Sequence, residues 1–366
     1  MKTPERIDLF EVDSSVDLPH GYYRLAKNSI WGSGYLPQIA ILPSIPVHEP
    51  DYPYIVDRAL FETIQDGDIG MYSGRNKLRV ILSRLANHNT LLLTERCDNR
   101  CLFCSQPPKT REDSWLLESA EKALLDFNFS GTIGLSGGEP LLYGGSLIKK
   151  LKNVLSNCPE TNFHILSNGR ALKDSSFCRE LAGIGHPGRI VLGVPVYGTS
   201  SDTHDSCVDS SNAFNETLIG LINAGNAGIP LEIRIIPTKL NHAELSGIIE
   251  LVGRCISSVV QVSIMNLEPT GWAKRNWESL YLSPSRYQDD LIKAIQMGQS
   301  IGVKTVLFNY PLCHLPEDCR SQAVKSISDW KNFYPTECDD CLVKSICGGY
   351  FTSTGGERFD PPRRIA

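Results

Sequence analysis

The sequence lacks the features that mark membrane, secreted and nucleic-acid-binding proteins. No apolar run approaches the ~18 residues of a transmembrane helix. The first residues, MKTPERIDLFEVDSS, are mixed in charge and contain no apolar segment of the signal-peptide kind. The formal net charge of −5 gives no electrostatic basis for nucleic acid as the main partner. These absences predict a soluble, cytoplasmic protein with no membrane or nucleic-acid partner, and the 41% of hydrophobic residues can form a full core.

Cysteine, in contrast, is abundant, with twelve in 366 residues. In a reducing compartment such enrichment indicates metal binding or redox chemistry rather than disulfides. Three cysteines fall between 97 and 104, and five between 313 and 347. The other four are scattered and are predicted to be small core residues: Cys158, Cys178, Cys207 and Cys255.

The pattern of apolar runs and breaks divides the chain into three regions. Residues 1–90 contain Gly/Pro breaks and short strand-like runs, YLPQIAILPSI and KLRVILSRL, which predict a small β-rich domain. From 91 to 308, strand-like and helix-like segments alternate, and six such units fit between about 91 and 301. They predict an α/β fold, a partial parallel (β/α)6 barrel or open sheet. Residues 309–366 are irregular and cysteine-rich, which indicates a small appended domain held together by metal.

The first cysteine group lies in ERCDNRCLFCSQPPK, where Cys97, Cys101 and Cys104 have the spacing C-x3-C-x2-C. This loop follows the first strand of the α/β region, and ligands bind at the carboxyl edge of parallel sheets. Thiolates favour zinc or iron–sulfur clusters. Three thiolates can hold three irons of a [4Fe–4S] cube and leave the fourth open to a substrate or cofactor. A structural zinc with a distant fourth ligand is the alternative.

Two further segments follow the next strands. In SGGEP, Gly137 and Gly138 leave the backbone open to a ligand at close range, and Glu139 could accept from a ligand ammonium group. The third strand ends in Ser167 and Asn168, followed by glycine. A plain turn is the alternative for each segment alone.

The three motifs in this order resemble the radical S-adenosylmethionine (SAM) superfamily, over residues 91–301. In that family SAM chelates the open iron, one electron breaks its sulfonium bond, and the 5′-deoxyadenosyl radical abstracts hydrogen from the substrate. The resemblance implies that Cys97, Cys101 and Cys104 ligate the cluster. It also implies roles for seven cofactor-binding residues. Phe103 would cover the cluster and adenine, Gly137, Gly138 and Glu139 would hold the SAM amino group, and Ser167 and Asn168 would lie near SAM. The seventh is Arg234.

Arg234 is included among the cofactor-binding residues because the sequence departs from the family pattern elsewhere. Tyr197, Gly198, His204 and Asp205 are typical of peptide-modifying members, which often have an arginine shortly afterwards. Here Cys207 and Val208 follow instead. Arg234 is therefore the candidate contact for the SAM carboxylate, with a structural salt bridge as the alternative. Glu268 and Gly271 resemble a Glu-Pro-x-Gly segment that lies near the substrate in many relatives, and a plain loop is the alternative.

The second cysteine group contains C-x2-C-x5-C at Cys338, Cys341 and Cys347, with Cys313 and Cys319 upstream. Such a set suits a closed [4Fe–4S] cluster or a structural zinc. The run resembles the SPASM/twitch domains of peptide-modifying radical SAM enzymes. A full SPASM domain has a further cysteine where Phe351 stands. The resemblance therefore implies one auxiliary cluster, ligated by Cys313, Cys338, Cys341 and Cys347, with Cys319 as a spare candidate.

Four short segments, CSQPPK, LFNYPLCHLPE, SISDWKNFYPTEC and CGGYFTS, make the resemblance more specific. Together they resemble the His-Xaa-Ser system radical SAM maturases, of the C type, over most of the chain. This implies maturation of a ribosomal peptide with His-Xaa-Ser repeats, alongside a second radical SAM protein as a heterodimer and an external electron donor. The alternatives are a small-molecule radical SAM enzyme with a twitch domain, or a non-catalytic iron–sulfur partner subunit.

Overall fold

The computed structural model describes residues 10–11, 18–30, 32–74, 77–325, 331–354 and 360–365. The chain forms two compact units. The first comprises Met1–Thr94, Glu112–Ser136 and Ser146–His164, and the second Glu95–Arg111, Gly137–Gly145 and Ile165–Ala366. Within the described residues, no helix is long and apolar enough to cross a membrane.

The amino-terminal part forms a six-stranded sheet with the order β1-β6-β5-β2-β3-β4. Its core consists of fully buried aliphatic side chains, among them Leu25, Ile39 and Ile55. Strands β3 and β6 lie in the two apolar runs that predicted them, so the β-rich prediction is confirmed. The elements are β1 Phe10–Glu11, β2 Gly21–Lys27, β3 Gln38–Leu42, β4 Tyr54–Val56, α1 Arg58–Thr63, β5 Ile69–Tyr72 and β6 Lys77–Leu82.

The α/β part forms an eight-stranded parallel sheet with the order β14-β13-β12-β11-β10-β9-β8-β7. The strands are β7 Asn89–Thr94, β8 Gly131–Gly137, β9 Thr161–Leu166, β10 Ile190–Pro195, β11 Leu231–Ile235, β12 Val259–Met265, β13 Thr305–Phe308 and β14 Ala323–Val324. The helices are α2 Ser114–Phe127, α3 Gly145–Asn157, α4 Ser175–Ala182, α5 Ser201–Val208, α6 Ala213–Asn226, α7 Leu245–Cys255, α8 Gly271–Arg275, α9 Trp277–Leu280, α10 Gln288–Ser300 and α11 Glu317–Arg320.

The α/β class is confirmed, and the six predicted strand–helix units correspond to β7 through β12. Two further strands, β13 and β14, extend the sheet in parallel register. Strand β14 lies within the region 309–366 that the sequence assigns to the appended domain. The domain boundaries at 90 and 308 stay predictions.

Alternation along β11 gives the sheet one apolar and one polar face. Leu231, Ile233 and Ile235 are fully buried. Glu232 and Arg234 project to the opposite face, because successive strand side chains point in opposite directions. In register with them on β12, Ser263 lies beside Arg234. The polar face of β11 and β12 therefore carries the charged side chains of Glu232 and Arg234 and the hydroxyl group of Ser263.

Among its described residues, the carboxyl-terminal part contains short elements separated by irregular segments: α11, β14 and an antiparallel pair, β15 Asn332–Phe333 and β16 Tyr350–Phe351. Residues 326–330 of the SISDWKNFYPTEC motif lie outside the described residues, as does most of the amino-terminal MKTPERIDLFEVDSS stretch.

The scattered cysteines are buried at three of the four positions, 158, 178 and 207. The prediction is wrong for Cys255, which is exposed. It is the last residue of α7, whose buried stripe ends at Val252.

Candidate active site

The loop that carries Cys97, Cys101 and Cys104 is held mainly by backbone hydrogen bonds. The Arg100 amide donates to the Val208 carbonyl at 2.9 Å, and the Leu102 amide donates to the Cys207 carbonyl at 3.0 Å. A further bond, from the Cys104 amide to the Cys101 carbonyl at 3.0 Å, closes the second turn. The end of α5 is therefore the support on which the loop lies.

The three thiols of this loop are partly exposed and influence one another. Burial raises the pKa of Cys97 to about 12, and the nearby charges of Glu139, Asp98 and Cys104 add to that effect. The pKa of Cys101 is raised by burial and then by Cys104 and Cys97. Burial also raises the pKa of Cys104. A positively charged iron centre would reverse this effect, because it binds cysteines as thiolates.

A single ion would need its ligands to converge more closely. Among the described residues, no three His, Cys, Asp or Glu side chains form a group that could hold one metal ion. The donor set itself, three soft thiols in one loop, fits iron–sulfur ligation with one cysteine per iron.

Gly138 allows the SGGEP turn to approach the cysteine loop. A Cβ atom at this position would lie 2.1 Å from the Arg96 carbonyl oxygen. The Glu139 amide donates to that same oxygen at 2.7 Å. Gly137, the last residue of β8, leads into this contact. The glycine pair thus brings its backbone next to the loop, while its contact with a ligand stays a prediction.

The Glu139 carboxylate, however, is directed to donors within the protein. The side chain is buried, and its oxygens accept from the Leu141 amide at 2.9 Å, the Ser167 hydroxyl at 2.9 Å and the Asn168 amide at 2.5 Å. Burial raises its pKa to about 7, against the opposing effect of these three bonds. Glu139 therefore joins the SGGEP turn to the end of β9, and its contact with a SAM amino group stays a prediction.

Ser167 and Asn168 extend this network to the cysteine loop. The Asn168 side-chain amide donates to the Asp98 carboxylate at 2.6 Å. The Asn168 carbonyl accepts from the Thr217 hydroxyl at 2.9 Å. The residues that the sequence places after three separate strands are thus brought together around Asp98, beside Cys97.

Phe103 lies within an apolar cluster rather than on an open surface. Its side chain is 5% exposed, and its ring meets the Tyr197 ring edge-on at 4.7 Å between centroids. Cys101 and Leu102 pack against this cluster. The predicted aromatic neighbour of the cysteines is present, while its contact with cluster and adenine stays a prediction.

The His-Asp pair after β10 stabilises a turn. His204 Nδ1 accepts from the Tyr197 amide at 3.2 Å, so this nitrogen carries no proton. Burial lowers the His204 pKa to about 4. Asp205 accepts from the Phe214 amide at 2.7 Å, at the start of α6. Both side chains therefore accept hydrogen bonds from backbone amides next to α5, the helix whose end supports the cysteine loop.

Arg234 forms the salt bridge that the sequence left as an alternative. Its guanidinium lies 3.6 Å from the Glu232 carboxylate and donates to the Met265 sulfur at 3.1 Å. Glu232 also accepts a short hydrogen bond from the Ser263 hydroxyl. The proposed contact of Arg234 with a SAM carboxylate stays a prediction.

Gly271 contacts the cysteine loop. Its φ is +54°, and a Cβ atom would lie 2.4 Å from the Cys104 carbonyl oxygen. That oxygen accepts from the Trp272 amide at 2.8 Å. The Asn276 side-chain amide donates to the Leu102 carbonyl at 2.7 Å. Sequence reasoning placed Gly271 near the substrate and missed Asn276, for which no local motif exists.

Glu268, which lies three residues after the end of β12, contacts the carboxyl-terminal region. Its carboxylate pairs with Lys331 at 2.9 Å and accepts from the Ser353 hydroxyl at 3.4 Å. Its predicted place near a substrate is untested by these contacts.

The second cysteine group lines a small cavity that is partly open to solvent. All four predicted ligands line it: Cys313, Cys338, Cys341 and Cys347. The Cys347 sulfur accepts from the Leu312 and Gly349 amides, both at 3.3 Å. Such amide donors orient and stabilise a thiolate. Cys319 is buried and is absent from the lining of this cavity, which agrees with its place as a spare.

The electrostatics of this cavity resemble those of the first group. Burial raises the pKa of Cys338 to about 11, and Cys313, Cys347 and Cys341 raise it further. Burial is the largest influence on Cys313 and acts in the same direction, but hydrogen bonds from His314, the Arg363 backbone and Tyr350, together with the charge of His314, outweigh it and lower the pKa of that thiol. Four thiols around one cavity match the donor set of an auxiliary iron–sulfur cluster or of a structural zinc, although in the described arrangement they do not converge on a single ion.

Comparisons with known proteins show which part of the chain is similar to a known family. Residues 91–252 match the model of the radical SAM superfamily. The chain is 24% identical over 266 residues to a probable GTP 3′,8-cyclase of Pyrobaculum aerophilum, covering 70% of this chain and 79% of that protein. It is 28% identical over 206 residues to an Fe-coproporphyrin III synthase of Methanosarcina barkeri, covering 55% of this chain and 49% of that one. A crystal structure of Streptococcus suis SuiB bound to S-adenosylmethionine aligns with 14% identity and a TM-score of 0.45, over 60% of this chain and 49% of that chain. The chain thus spans about half the length of the last two.

Proposed function

We propose, from the premise that residues 91–252 are a radical SAM superfamily domain, that this chain is a radical SAM peptide maturase. Such a domain implies an enzyme with a [4Fe–4S] cluster and SAM. The proposed substrate is a ribosomally made peptide with His-Xaa-Ser repeats. The proposed partners are a second radical SAM protein and an external electron donor.

The observation that carries the radical SAM assignment is the joining of three motifs around one loop. Asp98 accepts from Asn168, Glu139 accepts from the Asn168 and Ser167 donors, and Gly138 lies against Arg96. These contacts bring the cysteine loop, the glycine turn and the end of β9 to one place.

Within this arrangement the chain's own groups have defined tasks. Cys97, Cys101 and Cys104 would each hold one iron, and the backbone of Gly137 and Gly138 would lie beside the bound cofactor. When bound, the reduced cluster and SAM supply the 5′-deoxyadenosyl radical that removes a hydrogen atom from the substrate. The apolar cluster around Phe103 and Tyr197 keeps water from the buried side of the loop.

The polar face of β11 and β12 supports a peptide over a polyphosphate substrate. Strands β10 to β13 contain one basic residue, Arg234. Its guanidinium is already paired with Glu232, whose side chain is 10% exposed. A polyphosphate would meet a buried carboxylate there, whereas peptide amides and hydroxyls can bond to both groups.

The four cysteines of the second cavity support an auxiliary [4Fe–4S] cluster under the same proposal. Their spacing resembles twitch-type domains, and all four line one space. Zinc is the alternative to this cluster, and elemental analysis of the bound metal distinguishes the two.

The test of SAM chemistry uses the full chain, reconstituted anaerobically with iron and sulfide and then given dithionite and SAM. We expect 5′-deoxyadenosine from the native chain and none from a variant with Ala at Cys97, Cys101 and Cys104. Cys255→Ala is the matched control, because Cys255 is exposed and belongs to neither group. Absence of product from a native chain that holds its cluster, with and without the companion radical SAM protein, would favour the accessory-subunit alternative.

The test of the substrate adds a His-Xaa-Ser repeat peptide and the companion protein. A SAM-dependent mass change in the peptide, measured by mass spectrometry, is the expected result. SAM cleavage without any change in such peptides would refute the peptide assignment and retain the radical SAM assignment.

A nucleotide substrate is the second candidate, and one observation favours it. The cavity of the second cysteine group is also lined by Lys344, Arg363 and Arg364, whose charges suit phosphate. Several curated relatives are named GTP 3′,8-cyclase. Incubation of the reconstituted chain with GTP and SAM, followed by mass analysis of the nucleotide, distinguishes this reaction from peptide modification.

A further inference from the structure

Arg170 is a charged side chain at the candidate site for which the sequence offers no motif. It lies in the short helical turn Arg170–Lys173, directly after the Ser167–Gly169 segment. Its side chain is 15% exposed, so most of the guanidinium is withdrawn from water. Withdrawal of a charge is costly unless its hydrogen bonds are met within the protein.

The guanidinium meets four partners from three parts of the chain. The two N–H groups of its Nη1 atom are shared among the Asp98 carbonyl at 3.0 Å, the Asn99 side-chain oxygen at 2.9 Å and the Ser210 hydroxyl at 2.8 Å. Its Nε atom donates to the Glu216 carboxylate at 2.7 Å. The planar fork of arginine can reach such separate acceptors at once, which a lysine ammonium cannot do in the same geometry.

Two of these partners lie between the first two cysteines. Asn99 is 2% exposed, and its backbone N–H donates to the Cys97 sulfur at 3.4 Å. Ser210 follows the segment 207–208, whose carbonyls receive the loop amides. Arg170 therefore links the Cys97–Cys101 turn to the support beneath it, on the α6 side.

We propose that Arg170 is the positioning residue of the cysteine loop, fixing the turn at Asp98 and Asn99 so that Cys97 and Cys101 face the cluster together. The inference rests on the proposed function, because it assigns the loop to cluster binding. Arg170 touches neither thiol. It acts through the carbonyl and side chain of the turn.

Lys173 provides a matched control within the same turn. It pairs with the other oxygen of the Glu216 carboxylate and, within the part of the chain that the structure describes, makes no hydrogen bond to the cysteine loop. If Arg170 served only to anchor α6 through Glu216, Lys173→Met and Arg170→Met would have similar effects. If Arg170 positions the loop, only the Arg170 variants alter the thiols.

The experiment measures alkylation of each cysteine in the metal-free full chain, by timed N-ethylmaleimide labelling and peptide mass spectrometry. In Arg170→Met we expect Cys97 and Cys101 to label about tenfold faster than in the native chain, because charge-assisted bonds that close the turn are lost. Cys338 and Cys347 serve as internal references and should keep their rates. Lys173→Met should match the native chain throughout.

Arg170→Lys keeps the experiment decisive if the methionine variant does not fold. It retains the charge near Glu216 but loses the fork, so we expect a smaller acceleration confined to Cys97 and Cys101. Native rates in both Arg170 variants, or equal acceleration at all cysteines, would overturn the inference.

A second measurement follows iron release from the reconstituted chain on addition of a chelator. Faster release from the first cluster in Arg170→Met, relative to Lys173→Met, is the expected result. Alkylation requires neither cluster nor SAM. Failure of the native chain to cleave SAM would therefore refute the proposed function alone, while unchanged labelling would refute the role of Arg170 alone.

Discussion

Single residues set how closely the loops of the candidate site approach one another. Sequence reasoning could identify the cysteines and the SGGEP turn, because each has a local spacing. It could not identify Arg170, whose partners Asp98 and Asn99 lie 72 and 71 residues away. Long-range polar contacts of this kind leave no periodic trace in the sequence.

Gly138→Ala should disrupt the contact between the glycine turn and the cysteine loop. The new methyl group would meet the Arg96 carbonyl at 2.1 Å, and a backbone atom cannot move aside as a flexible side chain can. We expect a loss of roughly 2–3 kcal/mol in the free energy of unfolding, measured by urea denaturation. Gly145→Ala is the control, since a Cβ there has nothing within 4 Å. Equal stability of both variants would contradict the close approach.

His204 should make the stability depend on pH. Its folded pKa of about 4 lies below its unfolded value of 6.5, because burial disfavours the charged ring. The unfolded chain therefore binds the proton first as pH falls, and the stability present above pH 6.5 is lost towards pH 4. From pH 7.5 to pH 5 we expect a loss of about 2 kcal/mol from this residue.

His204→Asn is the variant that tests this pH dependence. An asparagine oxygen can still accept from the Tyr197 amide but does not titrate. Denaturation series at the two pH values should show a smaller difference in the variant than in the native chain. An unchanged difference would assign the pH dependence to other groups.

At the scale of elements, strand positions were predicted better than their connections. The apolar–polar alternation of β11 identifies a strand directly, whereas β14 has two residues and no periodicity to detect. Gly271 shows the same limit. Its motif suggested a ligand contact, but the start of α8 lies against the Cys104 carbonyl, a contact between distant segments.

Gly271→Ala should loosen the cysteine loop from its α8 side. The substitution combines a positive φ of 54° with a collision at 2.4 Å from the Cys104 carbonyl oxygen. Gly302→Ala separates the two effects, because Gly302 has a φ of 72° and nothing within 4 Å of a Cβ. We expect about 1–2 kcal/mol of backbone strain from Gly302→Ala, and a larger loss from Gly271→Ala.

The distinguishing readout for Gly271→Ala is iron bound per chain after reconstitution. It should fall in Gly271→Ala and stay native in Gly302→Ala. Native iron content in both would show that the Cys104 contact is dispensable.

At the scale of the whole molecule, the two cysteine groups were predicted from composition and spacing, and the structure gathers the members of the second around one cavity. Composition could not show that Cys313 lines this cavity while Cys319 is buried away from it.

Removing one ligand of the second group should leave the first cluster in place. We expect about eight iron atoms per native chain, and about four in Cys338→Ala, because each [4Fe–4S] cluster carries its own ligands. Cys319→Ala should keep the native iron content and lose stability instead, since its thiol is buried outside the cavity. Elemental analysis decides between the outcomes, and zinc in place of the second set of irons would refute the auxiliary iron–sulfur site.

The supports of the cysteine loop lie far downstream in the chain, at 207–210 and 271–276. A ribosome therefore releases Cys97, Cys101 and Cys104 long before the segments that hold them. A cluster delivered to the nascent chain would rest on an unsupported loop open to oxygen. Cluster insertion is thus expected to be a late event in biogenesis, after the segment 271–276 has emerged and folded against Leu102 and Cys104.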